Sequence, residues 1–133
     1  MTPELTVLAL AVFLQVAQIG LAGAAMNRDV GLEWNASPRD TQPAFSPLTG
    51  RLRRAVNNHF EALTFFTIAV VVVTLSGAAG GFTAACAWVY LGARIFYVPA
   101  YAYGWAPWRS AIFGVGLTAT LLMLLAALVG SGV

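Results

Sequence analysis

Four long apolar stretches decide what this chain can fold into. They cover about 4–26, 51–76, 80–104 and 108–131, each at or above the roughly 20 residues that an α-helix needs to cross a bilayer. Only 9% of the residues are charged and 59% are hydrophobic, whereas a soluble domain carries about 25% charged residues. A water-soluble fold has no means of hiding so much apolar surface. The expected fold class is an all-α integral membrane protein, a four-transmembrane-helix bundle with residues 1–133 as one domain.

The first run contains Gln15 and Gln18, and no arginine or lysine precedes it. A secretory leader would have a positive amino-terminal region and a shorter apolar core, so this run is expected to be retained as a spanning helix. Residues 27–50, rich in Pro, Asn, Asp and Ser, are expected to form a loop outside the membrane. "SGAAGG" at 76–81 and "YGWAPW" at 103–108 read as tight connections, with Pro107 suited to the first turn of the fourth span. Cys86 has no second cysteine to pair with, and one cysteine with one histidine gives a zinc or haem site almost no ligands.

The charges are unevenly placed. All seven basic residues are arginines. Arg28, Arg39, Arg51, Arg53, Arg54 and Arg109 fall on the side of the first loop and the third connection. The opposite side holds both termini, the 76–81 turn and Glu4. The positive-inside rule places the arginine-rich loop in the cytoplasm and both termini across the membrane. Arg94 stands apart, midway along the third span.

Helical spacing then groups the polar residues. Arg51, Arg54, Asn58 and Glu61 step by 3, 4 and 3, which puts them on one face of the second span. Tyr90, Arg94, Tyr97 and Tyr101 step by 4, 3 and 4 on the third. At 1.5 Å per residue, Asn58 and Arg94 lie roughly 10–15 Å inward from the cytoplasmic ends of their helices. A charge at that depth costs at least about 2.5–3.5 kcal/mol and needs a partner or a wet cavity. An ion pair of Glu61 with Arg94 or Arg54 would pin two spans together. One buried carboxylate cannot neutralise Arg51, Arg54, Arg94 and Arg109, however, so the surplus implies a pocket for an anionic ligand, to which arginine's planar fork is suited. No nucleic-acid partner is expected. His59, one step off the polar face, is expected to make an inter-helix or interfacial hydrogen bond.

"RAVNNHFE" at 54–61, read as R-A-x-x-N-x-x-E, and "ARIFYVPAY" at 93–101, read as A-R-x-x-Y-x-x-x-Y, together resemble the MAPEG family, the membrane-associated proteins in eicosanoid and glutathione metabolism. The pattern is similar to that of bacterial-type microsomal glutathione transferases. The resemblance implies a homotrimer that binds glutathione as co-substrate, without a metal, and conjugates or reduces lipophilic electrophiles from the membrane lipid. By position, Arg51, Arg54, Asn58 and Glu61 would contact glutathione from the second span, and Arg94, Tyr97 and Tyr101 from the third span of an adjacent subunit. Arg109 and Ser110 would be the catalytic pair that stabilises the thiolate. Tyr97 stands where prostaglandin-forming members have histidine, so prostaglandin chemistry is not implied. The alternative within the family is a non-catalytic lipid-binding scaffold or an accessory subunit of a membrane complex. A small multidrug transporter, which shares the helix count, would need an acidic residue in the middle of the first span, where this chain has Gln15 and Gln18.

Overall fold

The computed structural model describes residues 1–40 and 43–130. It contains helices α1 (Pro3–Val30), α2 (Leu32–Ala36), α3 (Pro47–Leu75), α4 (Gly81–Ala102) and α5 (Ala106–Gly130). All but α2 are long and apolar enough to cross a membrane. Their boundaries follow local chemistry. Thr2 and Ser46 cap α1 and α3 by accepting from the backbone N–H of Leu5 and Thr49, each at 3.3 Å, and a proline occupies the first turn of both helices. Gly104 (φ 70) turns the chain from α4 into α5, in a left-handed conformation that glycine adopts without steric cost.

Two expected boundaries shift. The first helix runs past Met26 to Val30, and α3 begins at Pro47, ahead of Arg51, so the polar segment 27–50 is partly helical. Apolar composition ends where the bilayer ends, but backbone hydrogen bonding continues into water until a residue stops it. Here that residue is Gly31 (φ 86), whose N–H donates to the Asn27 carbonyl at 2.8 Å. The connection is tied down by polar contacts. Asp29 Oδ2 accepts from Ser46 N at 2.9 Å, and Trp34 packs edge-on against Phe45 at 5.2 Å.

Helices α3 and α4 form the middle of the bundle. Both α1 and α5 pack against each of them, and the α4–α5 contact is the most extensive. Lipid is as apolar as leucine, so association depends on close packing and polar contacts rather than on the hydrophobic effect. The buried faces accordingly use small residues: Ala11, Ala55, Ala69, Ala87, Ala100, Ala119 and Ala127 are almost fully enclosed. Between them Phe66 and Tyr90 stack face to face, with centroids 4.0 Å apart. This apolar core fills the half of the bundle nearer Val7, Val73, Cys86 and Ala127. Large apolar residues such as Phe13, Ile95 and Phe96 point outward, as lipid-facing side chains should, and Phe60 and Phe65 are exposed on α3.

Polar pins join the helices. Glu4, on the far side from most arginines, is buried and accepts from Thr83 Oγ1 at 2.9 Å. His59 and Gln15 meet between α1 and α3 with Nδ1 and Oε1 2.6 Å apart, in line with the inter-helix role expected for His59. Gln15 Nε2 donates to the Val56 carbonyl at 3.4 Å, which leaves Oε1 to accept and makes His59 Nδ1 the donor. Replacing Gln15 by Leu should therefore lower thermal stability in detergent by roughly 1–2 kcal/mol, because a buried ring donor loses its partner. Val16→Leu, on the lipid face, should leave the melting temperature unchanged; equal effects of the two would show that the hydrogen bond contributes nothing.

Candidate functional site

Toward the arginine-rich end the apolar core gives way to a cleft of about 260 Å³, lined by Asn58, Tyr97, Tyr101, Arg109, Ser110 and Phe113. Three helices supply these residues. Asn58 comes from α3, the tyrosines come from one face of α4, and Arg109, Ser110 and Phe113 come from the first turns of α5. The short α4–α5 connection allows this, since it returns the chain beside the tyrosines within a few residues.

Tyr101 is bracketed by guanidinium groups. Arg54 Nε donates to its hydroxyl at 3.1 Å, and the Arg109 guanidinium carbon lies 4.8 Å from the ring centroid. Tyr97 packs edge-on to Tyr101 at 5.6 Å and receives the Arg94 guanidinium over its face at 4.2 Å. Such cation–π contacts contribute about 0.5–2 kcal/mol each, depending on solvation.

Arg94 is the most constrained of the set. It is 2% exposed. Its Nη1 donates to Asn58 Oδ1 at 3.0 Å, while Nε and Nη2 are buried without a hydrogen-bond partner. Among the described residues the one ion pair is Arg28–Asp29, at 3.8 Å and outside the cleft. Arg54, Arg94 and Arg109 thus converge on α4's tyrosines with no carboxylate to balance them. Burying a charge costs several kcal/mol unless it is compensated, and an amide oxygen with an aromatic face compensates only in part.

Several expected contacts fall elsewhere. The expected ion pair of Glu61 with Arg94 or Arg54 does not form, and Glu61 is exposed rather than a buried anion. Although it shares the α3 stripe, it lies one turn beyond Asn58, where it edges a narrow slot of about 40 Å³ together with Tyr90, Arg94 and Phe113. Arg51 turns toward the end of α4, where its Nη1 donates to the Ala102 carbonyl at 3.1 Å; it satisfies a helix terminus instead of lining the cleft. Arg54 is an exposed rim residue that reaches the site through Tyr101. The two polar stripes, expected from adjacent subunits, already meet inside one chain through the Arg94–Asn58 and Arg54–Tyr101 bonds.

Phe113 is the residue that spacing could have revealed and did not. It lies four residues after Arg109, on the same helical face, packs against Tyr97 at 6.4 Å, and lines both the cleft and the slot.

The cleft offers positive charge, three hydroxyls and an amide. Neither a thiol nor an imidazole lines it among the described residues, and a guanidinium beside hydroxyl donors can hold and polarise an anion. A comparison with curated proteins finds no match. The MAPEG family model matches residues 4–129, nearly the whole chain. Together with four apolar spans, this match places the chain in the MAPEG family, as an integral, multi-pass membrane protein.

Proposed function

We propose that the cleft binds glutathione and presents its thiolate to lipophilic electrophiles, making the protein a membrane-bound glutathione transferase with a capacity for glutathione peroxidase chemistry. The observation that carries this reading is the convergence of Arg54, Arg94 and Arg109 around Tyr97 and Tyr101 without a carboxylate. Glutathione brings two carboxylates, which match the surplus positive charge, and a thiol that needs a cation beside it to ionise. Glu61 is the proposed partner of the ammonium, from a face of α3 that a second copy of the chain would enclose. An exposed carboxylate among the outward-facing Phe60 and Phe65 is costly against lipid, and this supports assembly, with a homotrimer as the proposed state. The arginine-rich end is assigned to the cytoplasm and both termini to the opposite side.

The chemistry asks little of the protein beyond charge. A free thiol with a pKa near 8.5 is only about 3% thiolate at pH 7. A guanidinium that lowers this by about two units supplies roughly 2.7 kcal/mol and makes the thiolate the major form. Arg109, with the Ser110 hydroxyl beside it, is assigned that role, and the thiol proton leaves to water through the open cleft. The sulfur then forms a bond to the electrophilic carbon, whose leaving group or epoxide oxygen departs with the bonding pair. With a lipid hydroperoxide, the thiolate attacks the terminal oxygen, the O–O bond breaks, and the departing alkoxide takes a proton from water to become the alcohol. A second glutathione converts the resulting sulfenic acid to the disulfide and water.

Ultraviolet difference spectra of glutathione bound to the purified protein should show mainly thiolate at neutral pH. In Arg109→Ala the thiolate signal should fall toward the free-thiol level of about 3% while glutathione still binds. An unchanged signal would remove Arg109 from the mechanism. Conjugation of a model aryl halide should fall in parallel.

Asn58→Asp tests the charge balance itself. A carboxylate 3.0 Å from Arg94 should raise the melting temperature of the ligand-free protein, while glutathione affinity measured by titration calorimetry should drop about tenfold or more because the surplus charge is gone. If affinity is retained, positive charge is not what the cleft uses to bind.

A further inference from the structure

The doublets Arg53-Arg54 and Asn57-Asn58 repeat one motif on two adjacent faces of α3. Arg54 and Asn58 serve the cleft. Arg53 and Asn57 have the same four-residue spacing but turn about 100° away, toward α1 and the loop. There, together with Asn35 and Arg39, they rim a second cavity of about 220 Å³ whose wall descends along α1 through Met26 to Ile19. It shares no lining residue with the cleft.

The arginine at its mouth is held in place. Arg39 has φ 59, a left-handed backbone that residues other than glycine seldom adopt. Its side chain is clamped by two bonds to Asn35, from Nε to the carbonyl at 3.1 Å and from Nη2 to Oδ1 at 2.7 Å. It also stacks on Trp34 at 5.3 Å. Asn35 is in turn anchored to α1, where its Nδ2 donates to the Gly23 carbonyl at 3.4 Å. Arg53 lies over the Phe45 ring at 4.8 Å. No carboxylate lines this cavity.

From Met26 to Ile19 the wall descends roughly 10 Å along a spanning helix, and beneath the rim it is aliphatic. A soluble anion would match only the top of such a cavity. We infer that it is a site for an anionic phospholipid, with the phosphodiester between Arg39 and Arg53 and an acyl chain along the α1–α3 groove. Guanidinium groups suit phosphate oxygens, and each basic residue at a bilayer surface contributes appreciably to the retention of anionic lipid. The inference needs only that the chain spans a membrane and is independent of glutathione binding.

The test is native mass spectrometry of the full-length protein released from nanodiscs that contain equal amounts of phosphatidylglycerol and phosphatidylcholine. The wild type should retain phosphatidylglycerol selectively. The double variant Arg39→Gln/Arg53→Gln should retain it about tenfold less, with glutathione affinity unchanged, whereas Arg109→Ala should retain it as the wild type does. Should the double variant fold poorly, Asn57→Leu and the charge-keeping Arg39→Lys/Arg53→Lys provide the comparison, with loss expected in the first and partial retention in the second. Equal retention of both lipids, or unaltered phosphatidylglycerol in the glutamine variant, overturns the inference. Displacement of the lipid by millimolar inorganic phosphate overturns it too, and would mark a free-anion site.

Discussion

A buried guanidinium between two membrane helices is the constraint on which the polar half of this molecule depends. Arg94 cannot be left bare at its depth, and among the described residues no carboxylate pairs with it. What it has is the Asn58 amide at 3.0 Å and the face of Tyr97 at 4.2 Å. These contacts place α3 against α4 and align the tyrosine edge toward α5. The charge is held without being cancelled, which suits a binding site: a neutral amide fixes the guanidinium yet leaves its field available to an anion. A glutamate in the same place would have made a stronger pin and a weaker site.

The remainder of the bundle makes this arrangement tolerable. In its opposite half, small residues let α1, α3, α4 and α5 approach closely, and the Phe66–Tyr90 stack fills the space between them. Polar pins of a different kind, Glu4 with Thr83 and Gln15 with His59, attach α1 to α4 and α3. Since α1 and α5 each pack on both central helices, the central pair is clasped from two sides and the cleft opens where α3, α4 and α5 diverge.

Much of this was legible in the sequence, for physical reasons. Apolar run length marks spans because the bilayer has a fixed thickness, and a step of three or four residues marks a face because the helix has a fixed pitch. Asn58, Tyr97, Tyr101 and Arg109 could therefore be grouped from the sequence, while Ser110 was added only by the family resemblance. Periodicity does not, however, say how far along a shared face two helices remain in contact. For that reason Glu61, one turn beyond Asn58, borders the slot beside Arg94 without pairing with it, and Arg51, at the other end of the same stripe, serves the α4 terminus instead. Nor does hydropathy register a helix that continues into water, which is how α1 reached Val30. The second stripe of Arg53 and Asn57 was in plain view, but which neighbour it faces depends on where the polar loop folds.

Phe113 borders the polar cleft on one side and, on the other, a narrow and largely apolar slot between α3, α4 and α5. A polar and an apolar compartment are thereby separated, inside the protein, by the thickness of one benzene ring. On the proposed function, that ring would stand between the charged co-substrate and the lipophilic one.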